Sequence, residues 1–342
     1  MRRIWLMIAI LACLTIPVQA LDLTAPAVPG VKYEENQSFS EAVLEILGDA
    51  VSHFQPDLRE AAGVCMTVLA AVAVLSVLSA IPGKKTGIQL AGAVLVATVL
   101  QEPAHALISL GADTVLELGE YEKLLLPVLT AALAAQGGVG TSAALYAGTA
   151  AFNALLSGLI SRVLVPMLYV YLALAVGHAA AGEEMLKKLR DFVRSSAIWG
   201  LKTVLYVYTG YITITGVVSG TTDASLLKAA KLTISGAVPV VGGILSDASE
   251  AVLVSAAAVK NVAGIYGLLA ILSLWIGPFL RIGAHYLMVK AVGAVSGVFG
   301  VDGVSAVIDA FGSAMGLLLA MTGAVCLMLI IGTVCFMRGV GV

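Results

Sequence analysis

The chain has 342 residues, 60% of them hydrophobic and 12% charged, against roughly 45–50% and about 25% in soluble domains. Its mean hydropathy is +1.01, which excludes an ordinary soluble domain and predicts an all-α, polytopic integral membrane bundle surrounded by lipid. With 19 basic against 21 acidic residues and a net charge of −2, the basic footprint that grips a nucleic-acid backbone is missing, so no nucleic-acid partner is expected.

Residues 1–20 combine Arg2 and Arg3, an apolar run and the small-residue ending Val18-Gln19-Ala20, the three regions of a secretory signal peptide. Cleavage there puts the mature N-terminus outside. Residues 21–60 form the longest polar stretch. Within it Phe39, Val43, Leu44, Ile46, Leu47, Val51 and Phe54 recur at helical spacing, which predicts an extracytoplasmic amphipathic helix that lies on the bilayer or on a partner. The membrane domain follows, over residues 61–342.

Residues 61–81 are long enough to cross and end in Pro82-Gly83-Lys84-Lys85, a basic mark of the cytoplasmic side. The next apolar run, residues 88–110, is interrupted by Gln101-Glu102-Pro103. The acids of residues 113–122 then suit the outer face. Residues 124–135 are too short for a regular crossing and read as a re-entrant or core piece, closed by Gln136-Gly137-Gly138. Residues 141–160 and 163–181 are two further runs. Lys187, Lys188, Arg190 and Arg194 give the strongest inside mark. After 198–218 come the runs 262–280, 282–300 and 312–337, with Arg338 placing the C-terminus inside. The total is six to eight crossings, with 88–110 and 124–135 ambiguous.

The stretch 221–261 differs from its surroundings. It is polar at both ends and is interrupted at its middle by Pro239, Gly242 and Gly243, which break a helix. Lys228 and Lys231 share one face of the first half, Asp247 and Glu250 share one face of the second, and Lys260 follows. Charge inside a membrane is costly and marks function by default. Three readings stand for these eight residues: a polar path or gate, loop ends at the interface, or subunit contacts.

No Gly-x-x-x-x-Gly-Lys-Ser/Thr, His-Glu-x-x-His or Gly-x-Ser-x-Gly motif occurs, so nucleotide, metallopeptidase and serine-hydrolase chemistry lack their usual residues. The expectation is a non-enzymatic protein without a cofactor. Cys13, Cys65, Cys326 and Cys335 lie singly in apolar runs, and His53, His105, His178 and His285 are scattered, which predicts neither a disulfide framework nor a metal site. Gly293-x-x-x-Gly297 is a small-xxx-small pattern suited to close helix contact or to oligomer formation.

Gly200-Leu201-Lys202-Thr203, the run Tyr211-Ile212-Thr213-Ile214-Thr215-Gly216, residues 234–250 and Val259-Lys260-Asn261 resemble the stage III sporulation protein AE family of endospore-forming bacteria. The leader, the extracytoplasmic segment and the multi-span body match that family's layout, although the N-terminal region is shorter. The resemblance implies a multi-pass protein of the mother-cell membrane facing the forespore. There it is expected to be part of an oligomeric channel or secretion complex with the other stage III A proteins and the forespore protein Q. It implies a need for this complex in late forespore gene expression under sigma-G, with a neighbouring ATPase supplying the energy. The alternatives are a self-sufficient ion-coupled secondary transporter and a non-conducting membrane scaffold.

Overall fold

A computed structural model describes residues 39–79, 85–237 and 242–338, with side chains described except at 53, 85–86 and 216–256. The expected signal peptide, the start of the extracytoplasmic segment and Pro239 lie outside the described residues. The helices are α1 (Phe39–Ser79), α2 (Lys85–Ala135), α3 (Val139–Leu159), α4 (Val165–Ala181), α5 (Glu184–Ala237), α6 (Gly242–Val298) and α7 (Asp302–Arg338). A single π-helical turn, Ile160–Leu164, joins α3 to α4.

Among the described residues five stretches are long and apolar enough to cross a membrane: Phe39–Ser79, Gly87–Ala135, Val139–Ala181, Ala257–Val298 and Asp302–Arg338. The protein is thus the expected all-α membrane bundle, but its apolar runs are grouped differently. Runs 88–110 and 124–135 belong to one helix, as do 262–280 and 282–300, while 141–160 and 163–181 join through the π turn. The 51 residues of α2 extend about 76 Å at 1.5 Å per residue, against a hydrocarbon core of about 30 Å. A rod of that length crosses once, so residues 124–135 are not a return segment.

Polar residues inside these rods do not end them, because a helix satisfies its own backbone wherever the side chains point. Pro166 shows how a proline is absorbed. It has no N–H to give the carbonyl one turn back, and the preceding Val165 N–H bonds the Ile160 carbonyl, five residues away. The extra residue in that turn is the π geometry, and the helix continues. Genuine ends use left-handed glycine. Gly137 has φ 90; its N–H bonds the Ala134 carbonyl at 2.9 Å and the Gly138 N–H bonds that of Leu133 at 3.2 Å, a Schellman stop to α2. Gly182, φ 72, closes α4 through its bond to the His178 carbonyl at 2.8 Å.

Close contacts fix the directions of the rods. Along α6 and α7, Tyr286 meets Gly316, Lys290 meets Gly312 and Asp309 meets Gly293, an antiparallel hairpin. Gly293 thus makes the helix contact expected of it, whereas Gly297 meets nothing within 4 Å. Gly92 meets Val304 and Gly111 meets Leu318, so α2 and α7 run parallel. Asn153 approaches Gly119 and Tyr169 approaches His105, so α3 and α4 run back along α2. Tyr211 reaches Ala144, which turns α5 over again, and Leu75 touches Gly92, which sets α1 against α2.

The result is a bundle of alternating rods. α7 is the central one: 56% of its most apolar window is buried, against 28–39% in the other candidate spans. Lys187, Lys188 and Arg190 lie near the bundle end where α2 and α7 begin, and Arg338 closes α7 at the other. The sequence reading put both basic marks inside, but alternating rods hold them at opposite ends.

Candidate functional site

Of the eight sequence candidates, only Lys260 has a described side chain. Lys228, Lys231, Gly242, Gly243, Asp247 and Glu250 fall on α5 and α6 where side chains are outside the described residues, and Pro239 lies between the two helices. Lys260 is 6% exposed. Its Nζ donates to Gln136 Oε1 at 2.7 Å, tying α6 to the Schellman turn after α2. The amide nitrogen of Gln136 is itself buried without a partner.

A second polar group lies deeper in the bundle. Val115, Leu118, Leu125 and Leu129 form the buried stripe of α2, and Glu122 occupies a place on that stripe with only 4% of its surface exposed. On the facing helix, Leu145, Thr149, Leu156 and Ile160 form the matching stripe, and Asn153 interrupts it at 5% exposure. Glu122 and Asn153 line a cavity of about 270 Å³ together with Glu120, Lys123, Tyr146 and Ser157. Ser157 donates to Asn153 Oδ1 at 3.3 Å, and Glu122 Oε1 has no hydrogen-bond partner.

On the other side of α3 a tyrosine is satisfied and packed, while the Thr149 hydroxyl beside it is buried without a partner. Tyr208 is fully buried, donates to the Met328 carbonyl at 3.1 Å and meets Phe152 edge-on at 5.5 Å. Gly332 permits this approach, since a Cβ there would stand 2.8 Å from the Tyr208 hydroxyl and 3.0 Å from Thr149 Cγ2. Gly332→Ala should therefore cost about 1–3 kcal/mol, the usual penalty for overpacking. Thermal unfolding checks this, and an unchanged midpoint would mean that Tyr208 yields freely.

Charged pairs elsewhere link helices. Arg281 bonds Glu60 at 2.9 Å and lies 3.5 Å from Asp57, joining α6 to α1; Lys290 bonds Asp309 at 3.2 Å within the α6–α7 hairpin. The described histidines engage separate partners: His105 lies 2.7 Å from the Tyr169 hydroxyl, and His178 and His285 each bond a nearby carbonyl. Sequence reading missed the Glu122 group because residues 113–122 were read as an acidic outer segment. The available signal was periodicity, a glutamate on the apolar stripe of a helix.

The chain matches the family model described as Stage III sporulation protein AE over residues 35–339. A curated relative, Stage III sporulation protein AE of Bacillus subtilis (strain 168), is 25% identical over 192 residues, covering 56% of this chain and 48% of the relative. The alignment thus spans about half of that relative's length. No solved structure matches. A family match that begins before α1 and continues past Arg338 takes in all the described helices, and the chain belongs to the stage III sporulation protein AE family.

Proposed function

We propose that the protein is an integral, non-enzymatic subunit of a complex connecting mother cell and forespore. Its partners in this reading are the other stage III A proteins and the forespore protein Q. It serves as the permease-like core, and residues 225–261 line or gate the path, with Pro239, Gly242 and Gly243 as the break. The observation that carries this reading is the family match over 35–339. A polytopic chain with no nucleotide motif of its own fits a subunit whose energy comes from a neighbouring ATPase.

In this proposal the protein sits in the mother-cell membrane facing the forespore, with the end bearing Lys187, Lys188 and Arg190 in the mother-cell cytoplasm. The start of α1 and Arg338 then face the intermembrane space. This departs from the inside position that Arg338 alone indicates, because four clustered basic residues at 187–194 outweigh one.

The test is Asp247→Asn with Glu250→Gln, introduced into the chromosomal copy in a sporulating host. The expected result is normal assembly with the other stage III A proteins, while a sigma-G reporter in the forespore falls to the level of the deletion strain. Failed assembly would instead support the scaffold. Transport by the purified protein alone, without its partners, would support the secondary transporter.

A further inference from the structure

We infer that the crevice between α2 and α3 is a binding site for one monovalent cation, with Glu122 as its charged ligand, Ser157 as a neutral oxygen ligand and Asn153 as the residue that holds the two in place. The inference uses the geometry of the crevice alone and does not depend on the role in sporulation.

The first step concerns charge. Glu122 belongs to one of the candidate membrane spans and is 4% exposed, with Oε1 unpaired. An ionised carboxylate so placed costs several kcal/mol unless a positive charge is supplied. The adjacent cation is shared: Lys123 lines the same cavity, but its Nζ bonds Glu120 Oε1 at 2.6 Å. Two carboxylates against one ammonium leave the cavity wall one positive charge short, and Glu122 is the buried one of the two.

The second step concerns space and ligands. A cavity of about 270 Å³ greatly exceeds the roughly 10–15 Å³ that one water needs, so an ion fits with part of its hydration. Asn153 turns its amide nitrogen toward α2, 3.5 Å from where a Cβ on Gly119 would stand, and its Oδ1 accepts from Ser157 one turn further along α3. Carboxylate and hydroxyl oxygens are hard ligands. Among the described residues no group of three or more His, Cys, Asp or Glu is placed to hold a metal ion. A single buried carboxylate with neutral oxygens therefore matches a singly charged ion, and not a divalent metal that draws on several acids.

The rival to an alkali cation such as sodium is a proton carried on the carboxyl itself, which leaves Glu122 neutral. The experiment distinguishes them on the purified full-length protein in lipid nanodiscs. Radiosodium binding and the unfolding midpoint are measured in sodium chloride and in choline chloride at equal ionic strength, for the wild type, Glu122→Gln and Asn153→Ala. An infrared difference spectrum of wild type against Glu122→Gln is recorded alongside.

Saturable sodium binding near one ion per chain, with a midpoint rise that Glu122→Gln abolishes and Asn153→Ala weakens, supports the site with sodium in it. No sodium effect, with a protonated-carboxyl band that disappears in Glu122→Gln, overturns the inference, because a neutral carboxyl calls for no cation. An ionised Glu122 with no sodium dependence, or sodium binding that persists in Glu122→Gln, overturns the inference. If Glu122→Gln does not yield folded protein, Asn153→Ala decides the sodium arm: binding unchanged from wild type would overturn the site.

Discussion

Replacing Gln136 by leucine should lower stability by about 1.5–3 kcal/mol, the worth of a hydrogen bond to a charged group, while Gln136→Leu combined with Lys260→Met should restore most of that loss. The reason is the asymmetry of buried polar pairs. Lys260 is 6% exposed and its ammonium donates to Gln136 Oε1 at 2.7 Å. No carboxylate pairs with it among the described residues. Removing the glutamine leaves a buried charge without an acceptor. Lys260→Met alone should cost about 1–3 kcal/mol, because the Gln136 amide, whose nitrogen is already unpartnered, then loses its remaining contact. Removing both leaves apolar surface against apolar surface, which is nearly neutral. Equilibrium unfolding in mixed micelles measures the cycle, and strict additivity of the two single losses would show that the pair is not coupled.

The same double variant separates stability from function. For Lys260 the sequence leaves a polar path, an interface loop end and a subunit contact open, and the structure gives it a bond that fastens α6 to the α2–α3 turn. A stable double variant that still supports forespore gene expression assigns Lys260 to fastening alone. A stable but inactive one assigns its charge to the path as well.

The helical class was legible because long apolar runs admit little else, but the rods were not, and the cause lies in how a helix ends. Gln101-Glu102-Pro103 and Gln136-Gly137-Gly138 look alike as interruptions of an apolar run. The first lies inside α2 and the second ends it. Polarity does not break a helix whose polar face meets polar neighbours, and even Pro103 is carried through. What ends α2 is a residue in the left-handed region, Gly137 with φ 90, which frees the last carbonyls for the Schellman bonds. Gly182 and Gly300, φ 72 and 70, mark the ends of α4 and α6 similarly.

Glu122 was hidden for a different reason. Counting acids along 113–122 obscures that one of them shares a face with Leu118, Leu125 and Leu129, and only the period of the helix separates it from exposed Glu120. The Asn153 side of the crevice required knowing that α3 runs back along α2, a long-range fact that the local pattern does not contain.

Cysteines placed singly at Lys188 and Arg338, in a chain freed of Cys13, Cys65, Cys326 and Cys335, should react with a membrane-impermeant maleimide from opposite sides. In intact cells the site at 338 should label fully while the site at 188 stays silent until the membrane is permeabilised. Lys188 lies near the start of α5, which runs back along α3, and α3 in turn runs back along α2. The start of α5 is therefore level with the start of α2. α7 runs parallel to α2 and ends in Arg338, near the Gln136–Gly138 turn. A single slab about 30 Å thick cannot put both ends of such rods on one face. A cysteine at Ala135 should follow the one at Arg338, since both mark the same end. Labelling of 188 and 338 from one side would overturn this arrangement, because it requires α7 to run opposite to α2, against the contacts of Gly92 with Val304 and of Gly111 with Leu318.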